Sequence, residues 1–142
     1  MKQILKRILI IATVAVMLFT FVSCGDKSGA VKTAFENEGY EVTSVKYDDL
    51  DKSIKGLVES VLVEDQINAM KSFEIILCKK GVASALVIKC GSADDVKSFL
   101  TFEKDGEQVT DLYDDAVDNG LINGNCYIIT LVPRAIEIFK NA

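Results

Sequence analysis

The residues of this chain whose types and spacing could do chemistry are four cysteines, two groups of aspartates and two asparagine–glycine steps. Cys78, Cys90 and Cys126 each sit inside an apolar run, where cysteine behaves as a small hydrophobe. No C-x-x-C pair and no histidine is available to lower a thiol pKa. The three read as buried free thiols, with a redox or metal-binding role as the alternative. If a hairpin turns at Lys80-Gly81, Cys90 lies roughly 23 Å along the strand from Cys78, far beyond disulfide reach. Cys126, placed two strand spacings from Cys90, would be about 10 Å away and also out of reach.

Asp48, Asp49 and Asp51 stand where a helix begins and lack the loop spacing and distal glutamate of a calcium site. The helix dipole accounts for carboxylates there. Asp111, Asp114, Asp115 and Asp118 recur at three- and four-residue spacing, so they share a flank of one short helix, where like charges repel. That flank reads as a solvated acidic face, or else as a weak cation site or a patch for a basic partner. Asn119-Gly120 suits a helix end, and Asn123-Gly124-Asn125 a hairpin turn or a bulge entering the last strand. Asp111, Asp114, Asp115, Asp118, Asn123 and Asn125 are therefore the candidate interaction surface. No catalytic residue, metal ligand or cofactor site is assigned. Without histidine, serine–histidine, cysteine–histidine and H-E-x-x-H chemistries are excluded, and without tryptophan the best stacking surface for sugars is missing.

Cys24 belongs to a different setting. Lys2, Lys6 and Arg7 precede an apolar run from Ile8 to Val22, then Ser23-Cys24-Gly25. Fifteen residues of helix span about 22 Å, short of a hydrocarbon core of roughly 30 Å, but right for the apolar region of a signal peptide. Phe21-Val22-Ser23-Cys24 resembles the lipobox of bacterial lipoproteins. The resemblance implies that the Cys24 thiol is joined to a diacylglycerol and that residues 1–23 are removed as a lipoprotein signal peptide. It covers the leader and implies nothing about the rest. An uncleaved anchor and an ordinary secretory signal are the alternatives. Two acyl chains give stable membrane attachment where one gives only marginal binding.

The leader takes three of the 16 basic residues and none of the 21 acidic ones, leaving 13 against 21, a net charge of −8. Such a domain is repelled by nucleic acid, and no basic patch with interleaved aromatics is present, so nucleic-acid binding is rejected. Residues 24–29 read as the lipidated cysteine and a short polar tether, and 30–142 as a single domain.

Periodicity places a helix over 30–38 and a strand over 40–47. One helix follows from Asp51, ending loosely between Glu64 and Met70. The hairpin comes next (72–79 and 82–90), then a helix capped by Ser92 and Asp95, with Val96, Phe99 and Leu100 buried. Lys104-Asp105-Gly106 interrupts the helical pattern. A second helical piece carries Val109, Leu112, Tyr113, Ala116 and Val117. A strand over 126–132 and a helix over 134–141, docked by Ile136 and Phe139, complete the chain. This order matches an α+β, ferredoxin-like split β-α-β sandwich: four antiparallel strands in the order 4-1-3-2, helices on one face, and extra terminal helices. The expected function is a lipid-anchored, extracytoplasmic accessory or binding domain without catalytic activity, at the cell membrane, its partner another envelope protein or a small solute. The alternative is a small cell-envelope hydrolase using paired carboxylates.

Overall fold

The computed structural model describes residues 26–142. The leader 1–23 and Cys24 lie outside the described residues. Helix α1 (Ser28–Asn37) leads into strand β1 (Glu41–Val45), a 3-10 turn (Tyr47–Asp49) and two helices, α2 (Lys52–Val61) and α3 (Glu64–Met70). Strands β2 (Glu74–Lys80) and β3 (Ala83–Lys89) form the hairpin, and helix α4 (Ala93–Leu100) follows. A small hairpin of β4 (Phe102–Lys104) and β5 (Glu107–Val109) precedes helix α5 (Asp111–Asp118). Strands β6 (Ile122–Asn123) and β7 (Cys126–Thr130) and helix α6 (Pro133–Lys140) complete the chain.

The main sheet is antiparallel, in the order β1-β2-β3-β7-β6, with β4 and β5 pairing apart from it. The α+β class stands, but the expected strand order and one-sided helix layer do not. The reason lies at Leu62-Val63, where the backbone is extended (ψ 148° and 167°) and splits the single helix expected from Asp51. One helix would carry the chain to the far end of the sheet. Two helices return it to the end it left, so Ile75 pairs with Val45 and β2 runs antiparallel beside β1.

Side chains alternate across a strand, and here both faces are apolar. Ile75, Leu86, Ile88, Tyr127 and Ile129 face one core, built with Ile54, Val58, Met70, Val96, Phe99, Leu100 and Ala116 of α2 to α5. Ile76, Cys78, Ala85, Val87, Cys126 and Ile128 face the other, built with α1 and α6 through Val31, Phe35, Ala135, Ile138 and Phe139. A sheet greasy on both sides must be covered on both sides. On α6 the buried face is Ala135, Ile138 and Phe139, while Ile136 is only half-buried.

Local signals explain the element ends. Asp51 accepts a hydrogen bond from the Ile54 amide (2.9 Å) and caps α2, and Ser92 accepts from the Asp95 amide (3.2 Å) and caps α4. Buried Gln66 joins α3 to α4: its Oε1 accepts from the Val63 amide (3.1 Å) and its Nε2 donates to the Phe99 carbonyl (3.1 Å). Asp105 and Gly106, expected only to interrupt a helix, form the tight turn between β4 and β5, both with positive φ (55° and 82°). That pair of angles is the one an Asp-Gly hairpin turn requires.

Phe99 packs edge-on against Phe73 and Tyr127, with ring centroids 5.7 and 6.4 Å away. Truncating it to alanine should cost about 3–5 kcal/mol. Val117→Ala on α5, where the side chain is 52% exposed, should stay within about 0.5 kcal/mol. Urea titration of the two variants checks the contrast.

Candidate functional site

The residues that follow Cys24 and Gly25 are built into the fold. Asp26 Oδ1 accepts from the Ser28 hydroxyl (2.7 Å) and the Ser28 amide (2.9 Å), closing the first turn of α1. The Lys27 amide donates to Asn125 Oδ1 (2.8 Å). Composition suggested a lipidated cysteine and a short polar tether over 24–29. Where it is described, that stretch is instead held at the corner where β3 ends and β7 begins.

Asn125 makes the corner. It is 1% exposed, and its Nδ2 donates to the Cys90 carbonyl (2.8 Å) while its own carbonyl accepts from the Cys90 amide (2.8 Å). It thereby extends the β3–β7 ladder one step past the Lys89–Cys126 pair. Nδ2 also lies 3.5 Å from Asp26 Oδ1. Asn125 reaches this position because Gly124 and Asn125 form the two-residue turn between β6 and β7, with positive φ (61°) at the glycine. A Cβ at Gly124 would collide with the Lys27 side chain, so the turn also needs glycine for space.

Charges surround the corner. Lys89 Nζ lies 3.3 Å from Asp26 Oδ2 and 3.7 Å from Glu74 Oε1. Glu74 Oε2 meets Lys32 Nζ at 3.1 Å and accepts from the Ser44 hydroxyl at 2.6 Å. The Ser28 hydroxyl and amide, with help from Lys89, hold the Asp26 carboxyl well below its ordinary 3.8, at about 2. The Ser44 hydroxyl, then Lys32 and Lys89, lower that of Glu74 against the opposing effect of burial. Burial disfavours charged Lys89, but Asp26 and Glu74 outweigh it and raise its proton affinity. A chain that bridges α1 and strands β1, β2 and β3 fixes the start of α1 against the sheet. The Lys27–Asn125 hydrogen bond and the Asp26–Lys89 ion pair favour the docked state by about 1–2 kcal/mol, roughly tenfold.

The acidic and asparagine residues singled out by spacing do not form one surface. Asp111, Asp114, Asp115 and Asp118 are exposed on α5, where Asp114 accepts from the Thr110 hydroxyl (3.0 Å) and Asp115 from Asn119 Nδ2 (3.0 Å). Asn123 turns away from them, donating from Nδ2 to the carbonyls of Phe139 (3.0 Å) and Ala142 (3.3 Å), and so caps α6. Asn125 is buried as described. Among the described residues, no three cysteine or acidic side chains converge where they could hold a metal ion.

Cys78, Cys90 and Cys126 are buried and free. Burial pushes each thiol up to about 12. Strands β3 and β7 are neighbours rather than two spacings apart, so the distance expected between Cys90 and Cys126 was too long. Their opposite faces separate them: Cys90 lies in the core under α4 and Cys126 in the core under α1 and α6. Two carboxylates, Glu59 and Glu64, share an open depression of about 450 Å³ with Tyr47, Leu62, Ile67, Asn68 and Lys71. Both glutamates are exposed, and the depression does not exclude water as a glycan-cleaving cleft would.

Asn125→Ala would strand the Cys90 carbonyl and the Lys27 amide, and should cost about 2–4 kcal/mol in a denaturant titration. A carboxyl held below its ordinary value stabilises the fold fully above about pH 4 and loses that contribution as pH falls through about 2. Because the Asp26 side chain is 46% exposed, solvent screening limits its share to about 1 kcal/mol. Asp26→Asn should therefore destabilise the protein at pH 7 by about 1 kcal/mol and flatten part of the acid limb between pH 4 and 2. Thermal melts across that range would show it.

Compared with known protein families, curated proteins and solved structures, the chain matches none of them.

Proposed function

We propose that this protein is a lipid-anchored accessory or binding domain without catalytic activity, held through acylated Cys24 on the extracytoplasmic face of the cell membrane. The observation that carries the reading is the leader, in which Lys2, Lys6 and Arg7 precede an apolar run from Ile8 to Val22 and then Cys24. This signal-like leader ends in Phe21-Val22-Ser23-Cys24, and Asp26, the first described residue, is already hydrogen-bonded into the start of α1. No helix of the described residues is long and apolar enough to cross a membrane, so among them nothing else supplies a helical anchor. The acidic flank of α5, solvated and exposed, is the surface offered to an envelope partner with basic groups.

The test is the fate of Cys24. In native membranes, mass spectrometry should find the amino terminus at an acylated Cys24. Cys24→Ala should leave the leader uncut or release the protein from the membrane fraction. Native protein that is soluble with residues 1–23 attached, or trimmed elsewhere without fatty acid, sinks the reading.

A further inference from the structure

We infer that the domain stands on the bilayer in one fixed orientation, with the Asp26–Asn125 corner against the headgroups and the β2–β3 turn pointing away. The inference rests on acylation of Cys24 and adds to it the geometry of the link. Only Gly25 separates Cys24 from Asp26, and two residues reach at most about 7 Å. Asp26 and Lys27 are held by Ser28, Lys89 and Asn125. The lipid-bearing residue thus has almost no slack relative to the sheet, whereas an ordinary polar leash would let the domain tumble.

The register states which parts of the fold share that end. The pairs Val45–Ile75, Glu74–Lys89 and Lys89–Cys126 bring the end of β1, the start of β2, the end of β3 and the start of β7 to the corner. The pairs Lys80–Ala83 and Ala85–Thr130 set the turn at Gly81-Val82, with Leu131, at the opposite end. Seven residues of β2 separate the two ends by about 20 Å. Charge does not select the orientation. Lys46, Asp48 and Asp49 follow β1, Lys71 precedes β2 and Asp94 follows β3, so the segments at the near end carry both signs and the short link decides.

Energy transfer to headgroup-labelled lipid tests this on the protein purified from native membranes and reconstituted in vesicles of phosphatidylethanolamine and phosphatidylglycerol. A donor is attached at Ala93→Cys near the corner or at Val82→Cys in the far turn, both exposed positions. The three buried thiols stay unlabelled. Transfer should be stronger from position 93, with a difference equivalent to about 20 Å of height. Inserting about 20 glycine and serine residues after Gly25, a leash of roughly 25 Å, should erase that difference. Equal transfer from both positions in the native protein, with Cys24 acylated, would overturn the orientation alone. A difference that survives the insertion would overturn the short link as its cause. No transfer from either position, with Cys24 unmodified by mass spectrometry, would overturn the anchoring and the orientation together.

Discussion

A primary amide offers one acceptor oxygen and two donor hydrogens, and at position 125 they are spent on two separate parts of the chain, Asp26-Lys27 before α1 and Cys90 at the end of β3. Burying an amide without partners costs several kcal/mol, so Asn125 can sit 1% exposed only because Lys27, Cys90 and Asp26 surround it in bonding positions. That requirement is mutual. The start of α1, the end of β3 and the entry to β7 are held together because each completes the others' hydrogen bonds. The ion pairs of Lys89 and Lys32 then spread the constraint along the sheet to β1.

The second organising fact is that the central strands are apolar on both faces. β2, β3 and β7 present Ile75, Leu86 and Ile129 to one side and Ile76, Val87 and Ile128 to the other. Neither side can remain wet, and the chain supplies four helices for one face and two for the other. The cysteines follow the same logic. They occupy small apolar positions in the two cores, and the burial that raises their proton affinity keeps the thiolate, the reactive form, scarce. The chemistry-bearing thiols are thus closed into the two cores, and the exterior is left to the charged side chains.

Much of the fold was legible in the residues because local rules act over a few positions. The hairpin of β2 and β3, the cap at Ser92, the helix end at Asn119-Gly120 and the buried Val96, Phe99 and Leu100 all follow from spacing and side-chain chemistry. The Asp105-Gly106 turn carried an equally local signal, and reading it as a mere interruption overlooked a hairpin. The break at Leu62-Val63 had no such signal, because hydrophobic spacing continues across it. Its consequence was large: one helix or two decides whether β2 returns beside β1.

The sequence by itself determined an apolar run from Ile8 to Val22 ahead of Cys24, an acidic α+β domain, and the absence of histidine- and tryptophan-based chemistry, since these depend on residue types and near neighbours. Only the tertiary structure decided the strand order, the two-sided covering of the sheet and the separation of Cys90 from Cys126 by face rather than distance. It also took Asn123 and Asn125 out of the proposed surface and made them internal ties. The physical reason is that an asparagine amide looks the same in a sequence whether water or a distant backbone satisfies it. Residues 27, 90 and 125 meet only after the sheet has closed.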